Sequence, residues 1–463
     1  MPYLKILIGI YLIYILYTLR HVFYHVSNPA KTFSWILFII FVPVIGVFFF
    51  RIIGRSVKRD KFFQERKTFF NAQATPIQED RLPPSKILLA RLLNSNDSAS
   101  ISYNNKVAVF KNGKDSFRKV EEDILKATKS IHFDFYIIES GNLLNTYLEI
   151  FEQKIKKGVK IRLVYDAYGT EEEYRDSFKK LRAIGVEVKE FMPFNWFKSY
   201  LYLNYRNHRK IIIIDNQIAY TGGMNISDKH VEGGPNLGLW RDTYIRVEGK
   251  GASDFEKVFY SDWYHAGGEE YSLPEAENIL GDIAVQVVAS GPDSDHRGIM
   301  QEYFALITHA EDYVYISTPY FIPGEAILTA IKTTALSGVD VRLMMPYNSD
   351  SKWMRWCMFT YLEELLASNV KVYFYHGGFL HNKTLISDDI VASNGTANVD
   401  VRSLETNFEI NAIVYNKQIT LDLKEHFFDD MKDCEEIFLK DFLHRSDRNK
   451  FMESLARLTS PML

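Results

Sequence analysis

The stretch Asn207-His208-Arg209-Lys210-Ile211-Ile212-Ile213-Ile214-Asp215 returns, in altered wording, as His381-Asn382-Lys383-Thr384-Leu385-Ile386-Ser387-Asp388, and both copies read HxKxxxxD. The repeat runs on past each motif: Gly222-Gly223-Met224-Asn225 follows the first and Gly395-Thr396-Ala397-Asn398 the second, at a constant offset of 173 residues. A duplication kept in register over this span asks for two like folding units rather than one irregular domain.

The segments around the motifs agree. Val107-Ala108-Val109-Phe110 opens a rhythm of apolar run, amphipathic helix over Asp115–Thr128, apolar run Ile131–Ile137, helix Leu143–Lys157 and run Val159–Tyr165. The second half restates it with Val285-Gln286-Val287-Val288, helix Gly298–Ala310, run Tyr313–Ile316, helix Glu325–Leu336 and run Val339–Met345. Alternating strands and helices in two related halves predict an α/β chain of two α/β/α units packed about a pseudo-two-fold axis. The join between them falls in Gly267–Gly281, where Gly267-Gly268 and Pro274 punctuate an acidic stretch.

Residues i and i+2 of a strand face one side, so His208 projects with Lys210 and His381 with Lys383. An axis that brings the motifs together would converge two imidazoles and two ammonium groups. Two imidazoles divide the work of a phosphodiester exchange, one attacking phosphorus and the other protonating the leaving oxygen. The lysines, with Asn225 and Asn398, would hold the non-bridging phosphate oxygens. This chemistry asks for no metal and no other cofactor. Asp215 and Asp388 complete the motif set of candidate catalytic residues, but their spacing of seven from the histidines puts them off the His/Lys face. We read them as structural acids paired with a Lys or Arg. A single HxK is easily a packing accident; two copies in register are not, because lysine has little use at a repeated core position.

The charge is uneven. Through Lys61 the chain carries eight Lys or Arg and one acid; of the 55 basic and 58 acidic residues in all, 47 and 57 follow. An acidic body argues against a nucleic-acid partner, and the basic collar suits anionic lipid. Ile6–Leu19 and Thr32–Phe50 are uncharged apolar runs, read as two N-terminal transmembrane helices. No small-x-small cleavage pattern follows the first, so a secretory signal is the weaker reading. Arg51, Arg55, Lys58, Arg59 and Lys61 behind the second predict a multi-pass cell-membrane protein whose body faces the cytoplasm. Cys357 and Cys434 are the only cysteines, too few for a disulfide framework.

The paired motifs resemble the HKD signatures of the phospholipase D superfamily, and the chain resembles its bacterial cardiolipin synthase branch along nearly its full length. Tyr220-Thr221-Gly222-Gly223-Met224-Asn225-Ile226, Leu239-Trp240-Arg241-Asp242-Thr243, Ser317-Thr318-Pro319-Tyr320-Phe321-Ile322-Pro323 and Asn407-Phe408-Glu409 carry the likeness. Asn382 and Asn394 depart from the pattern without touching a catalytic residue type. The resemblance implies a phosphatidyltransferase: one phosphatidylglycerol forms a phosphatidyl-histidine, glycerol leaves, and a second phosphatidylglycerol takes the group to give cardiolipin. It implies His208 as nucleophile and His381 as acid, then base. It further implies that Asp242 and Glu409 each orient a histidine, with Asp242 a better candidate than Asp215 for His208. The alternatives are a phospholipase D-type hydrolase, or a transphosphatidylase with another donor or acceptor lipid. A catalytically dead scaffold would have lost part of a motif, and both are complete.

The expected division is 1–55 membrane segment, 56–100 linker with a helix over Lys61–Asn71, 101–270 first phospholipase D-like half and 271–463 second half. Partners are phosphatidylglycerol, anionic lipids and the membrane. Two aromatic stretches with cations, Asn195–Leu203 and Lys352–Phe359, are candidate walls of an acyl-chain entrance.

Overall fold

The computed structural model describes residues 2–25, 29–54, 60–70, 76–96, 99–170, 175–193, 202, 204–234, 237–273 and 281–460. Among them sixteen strands join in one sheet, whose order is symmetric about its middle. Ile101–Asn112 and Ile283–Ser290, the opening strands of the two halves, lie side by side and antiparallel, with Ile101 opposite Gln286. Outward from Ile101–Asn112 come Trp240–Glu248, Ile218–Gly222, Lys210–Ile214, Ser130–Phe135, Lys160–Asp166 and Glu187–Phe191. Outward from Ile283–Ser290 come Glu409–Tyr415, Val391–Gly395, Thr384–Ser387, Tyr313–Ser317, Asp340–Pro346 and Lys371–Tyr375, the same succession in the second half. The strand Cys434–Ile437 is added at that edge. Each motif strand is therefore fourth from the middle. The pattern of apolar residues explains the layers: Ile211 and Ile213 face a core shared with Ile386, Ala392, Ile410 and Ala412, whereas Ile212 and Ile214 face the first half's own helices.

Two N-terminal transmembrane helices do not emerge. Among the described residues no helix is long and apolar enough to cross a membrane. The first apolar run lies in the helix Pro2–His25. The second is broken: Pro29–Phe41 ends at Val42, where φ is −132°, restarts as Pro43–Phe49, and loosens into a π-type turn over Phe50–Gly54. Pro43 has no amide to continue the ladder, and its ring disfavours a helical Val42. The hairpin packs on itself through Val22, Ile39, Val47 and Phe50.

The stretch expected to be a connector is woven into the body. Its helix Lys61–Phe70 buries Phe63 and Arg66 completely. The Arg66 guanidinium donates to Asp262 at 2.6 Å and Asp293 at 3.0 Å and lies 4.6 Å from the Phe408 ring centroid. Asp262 also accepts from Arg209, inside the first motif, at 2.6 and 2.8 Å. Farther on, buried Lys86 donates to Asp388 of the second motif at 3.0 Å.

Removing one member of a buried ion-pair cluster leaves charge without a partner, so Arg66→Ala is expected to lower stability by about 3–5 kcal/mol. Chemical denaturation in detergent measures it; a change within error would show that this helix is not integral to the fold.

Candidate active site

The chain crosses over at the motifs. His208 does not rest on its own half: its amide donates to the Phe408 carbonyl at 2.9 Å, and Asn207 bridges Phe408 in parallel. Reciprocally, the His381 amide donates to the Arg241 carbonyl at 2.7 Å, and the strand Phe379–Leu380 pairs with Trp240–Arg241. These backbone clasps set the side chains. The His208 Nδ1 lies 2.9 and 3.0 Å from the two Glu409 carboxylate oxygens, and the His381 Nδ1 lies 2.8 Å from Asp242 Oδ2. Each histidine is thus oriented by a carboxylate of the other half. The expectation that Asp242 serves His208 is corrected: Glu409 does, because the clasp carries each motif into the opposite half. With Nδ1 turned to a carboxylate, Nε2 is the nitrogen of each ring left for substrate among the described residues.

Lys210 Nζ donates to its own His208 carbonyl at 2.7 Å, and Lys383 Nζ does the same to His381 while lying 3.2 Å from the His381 Nδ1. Burial, the largest cause in each case, pushes Lys210 down to about 7 and Lys383 to about 8. Burial also takes His208 down to about 4, against the pull of Glu409, and His381 well below the usual imidazole value, reinforced by Lys383 and Lys210.

The two carboxylates differ. Burial raises Asp242 and is only partly offset by Lys383 and His230, whereas at Glu409 burial is outweighed by His208, Lys210 and the Thr396 hydroxyl, leaving it below its usual range. One residue exchange accounts for part of this. Thr396 donates to Glu409 at 2.5 Å; at the corresponding place, 173 residues earlier, stands Gly223. A Cβ there would lie 2.4 Å from Asp242 Oδ2, so the first half gives Asp242 room and no hydroxyl.

Asp215 and Asp388 stand apart from this cluster. Each occupies the first of two left-handed positions in a three-residue hairpin connection, with φ of 54° at Asp215 and Asn216 and of 56° and 50° at Asp388 and Asp389. The Asp215 carboxylate accepts from the consecutive amides of Thr128, Lys129 and Ser130 at 2.7–2.8 Å. Asp388 accepts from those of Glu311, Asp312 and Tyr313 at 2.9–3.2 Å, and from Lys86. Both acids pin the start of the neighbouring strand.

Asn225 and Asn398 are buried, Asn225 accepting from the Ile137 amide at 3.1 Å and Asn398 donating to Asp400 at 3.0 Å. Trp353, in the second aromatic stretch, donates to Thr459 at 2.8 Å, and both Trp353 and Trp356 pack on the second half's core, so that stretch is tied down rather than open. The first aromatic stretch, apart from Tyr202, lies outside the described residues.

Sequence reasoning missed Tyr136, Thr396 and His230. The Tyr136 ring centroid is 5.0 Å from that of His208, and Lys210 lies 5.6 Å from it. Only Thr396 left a signal, as the odd residue opposite Gly223 in the repeat. Among the described residues one trio could hold a metal: His230, Asp242 and His381, with ligand atoms within 4.8 Å of one another. Lys383, Lys210 and Lys229 all act on His381 and oppose a dication there, so the centre is built for an anion.

Two regions match known families: 120–263 with 303–431 match the family described as "Cardiolipin synthase, PLD-like domain", and 11–55 match a phospholipase D-nuclease N-terminal segment. A cardiolipin synthase of Clostridium perfringens (strain SM101 / Type A) is 36% identical over 454 residues, covering 94% of this chain and 95% of its own. One from Geobacillus sp. (strain WCH70) is also 36% identical, covering 94% and 89%. The crystal structure of a Haemophilus influenzae Rd KW20 phosphatidylserine synthase shares the fold, with a TM-score of 0.63 at 13% identity over 81% of this chain and 98% of that one.

Asp215→Ala is expected to cost about 1–3 kcal/mol of stability by leaving strand-start amides without their acceptor, while folded protein keeps much of its turnover. Urea unfolding beside a rate per folded molecule measures both. Loss of turnover at unchanged stability would instead put the aspartate in the chemistry.

Proposed function

The chain belongs to the PLD-like cardiolipin synthase family, and from that premise we propose that it transfers a phosphatidyl group between two phosphatidylglycerol molecules, giving cardiolipin and glycerol. The observation that carries the mechanism is the crossed pairing of His208 with Glu409 and of His381 with Asp242.

A phosphate seated between Lys210 and Lys383 presents phosphorus to the free Nε2 of His208. Glu409, charged and fixed by Thr396, holds the Nδ1 proton of His208 and steadies the positive charge that grows on the ring during attack. The P–N bond forms, the bond from phosphorus to the glycerol oxygen breaks, and that oxygen takes a proton from His381. Burial, reinforced by the lysines, keeps His381 neutral in the free protein; the negative phosphate offsets the lysine part, so the ring takes up a proton from solvent as the substrate binds, and Asp242, held above the usual carboxylate range, can share the Nδ1 proton. In the second half-reaction the hydroxyl of another phosphatidylglycerol attacks phosphorus and gives its proton to His381. The P–N bond breaks and its electron pair returns to His208. The difference between Asp242 and Glu409 supports this assignment of nucleophile and acid. Asn225 and Asn398 are assigned to the non-bridging oxygens.

The membrane is the partner. The N-terminal hairpin exposes Ile6, Ile10, Leu16, Phe33, Phe41 and Val44. The C-terminal helix Asp447–Arg457 exposes Phe451, Leu455 and, just beyond its end, Leu458, one stripe at helical spacing with Arg448 and Lys450 beside it. Apolar stripes flanked by cations suit the boundary of an anionic leaflet. The basic collar supports attachment at the anionic cytoplasmic leaflet.

With vesicles of phosphatidylglycerol alone, lipid mass spectrometry is expected to find cardiolipin and glycerol in equal amounts; phosphatidic acid as the sole product, or activity only with another lipid, would overturn the reading. His381→Ala should lower turnover about 10²–10⁴-fold, the usual worth of a general acid and base, and His208→Ala, which removes the nucleophile, at least as much. Since Lys210 and Lys383 lose their charge near 7 and 8, kcat/KM should fall as pH rises through that range. A profile flat to pH 9 would remove them from phosphate binding.

A further inference from the structure

His230 is the titratable group at the centre that the two half-reactions leave unused. It is 2% exposed, and neither ring nitrogen has a hydrogen-bond partner among the described residues. Its ring centroid lies 4.4 Å from that of Trp240 and 5.9 Å from that of His381. A ligating atom of each of His230, Asp242 and His381 lies within 4.8 Å of the others, so the imidazole lies directly beside the acid–base pair.

The placement is built into the backbone. The short helix Lys229–Glu232 lies against the start of the helix Gly113–Ile124, and a Cβ on Gly113 would come within 2.0 Å of the His230 carbonyl oxygen. The His230 amide donates to the Ser227 carbonyl at 3.1 Å. A buried polar ring without a partner costs free energy, so a site that retains one has a use for it.

We infer that His230 binds the glycerol hydroxyl next to the reacting oxygen, first on the glycerol that leaves and then on the phosphatidylglycerol that enters, and so selects the polyol part of the substrate. This rests on the phosphatidyl-transfer reading. The oxygen that exchanges its proton with His381 belongs to glycerol, and the rest of that three-carbon polyol must lie within a few bonds of His381, where His230 stands. Chemistry favours the same division. Phosphate oxygens only accept, and the lysines only donate; an alcohol does both. A neutral imidazole offers one donor and one acceptor, the complement of a hydroxyl. Burial, with His381 beside it, holds His230 well below the usual imidazole value, hence neutral. Trp240 supplies an apolar wall for the carbon skeleton.

The test uses the full chain in phosphatidylglycerol vesicles, with His230→Phe to keep a ring without nitrogens and His230→Gln to restore a donor and an acceptor. Three quantities are read: KM for phosphatidylglycerol, the ratio of cardiolipin to phosphatidic acid, and the preference for glycerol over n-propanol as acceptor when cardiolipin is the donor. For His230→Phe the glycerol preference and the transfer ratio should each fall about tenfold, the worth of one lost hydrogen bond, with KM raised and His230→Gln recovering most of both. Both are ratios within one preparation, so partial misfolding does not alter them. Unchanged ratios in His230→Phe, with wild type making cardiolipin, would overturn the assignment to His230 alone. Wild type making no cardiolipin would remove the functional reading beneath it.

Discussion

The centre depends on two hydrogen bonds that cross between halves: from His208 of the first half to Glu409 of the second, and from His381 of the second to Asp242 of the first. Neither half holds its own histidine in a defined tautomer. The halves must therefore be registered to a fraction of an ångström, and the fold does this with main chain rather than side chain. The Phe408 and Arg241 carbonyls receive the His208 and His381 amides, and the opening strands pair across the middle of the sheet. Behind the first clasp, Arg66 and Arg209 share Asp262 while Arg66 lies over Phe408, so a segment from before the duplicated body braces the seam.

A duplicated site begins symmetric, and the proposed transfer gives its two imidazoles different roles. Thr396 and Gly223 show how little is required. A hydroxyl against Glu409 favours the charged carboxylate; a missing side chain against Asp242 leaves burial to dominate there. The Thr396 hydrogen bond adds to the larger pull of His208 and Lys210 on Glu409, and Asp242 has no such hydroxyl.

Much of this was legible in the sequence, for stated reasons. The fold class and the order of elements followed from alternating apolar runs and amphipathic helices: Tyr313–Ile316 was read and Tyr313–Ser317 is found, and Glu325–Leu336 matches. The motif aspartates fell off the His/Lys face by parity. What sequence periodicity does not carry is which half a carboxylate reaches into, because a repeat is silent on crossing; hence the wrong partner for His208. Nor does it show burial of a lone cation. Arg66 and Lys86 lie in a polar, proline-bearing stretch that reads as a connector, yet each reaches a motif through a contact more than 190 residues away in sequence. For the second apolar run, hydropathy predicts one continuous helix, and run length ignores the break that Pro43 imposes.

Burial sets the electrostatics of the centre, and that constrains how it can act. Lysines at about 7 and 8 are only partly committed to their charge, and both imidazoles are neutral. A phosphodiester carries a permanent negative charge, so its arrival stabilises the lysines' protons and raises the imidazole beside the leaving oxygen. The substrate thereby completes the charge arrangement its own transfer requires. On the proposed mechanism the attacking imidazole is neutral at rest, and the imidazole that protonates the leaving oxygen gains its proton as phosphate binds.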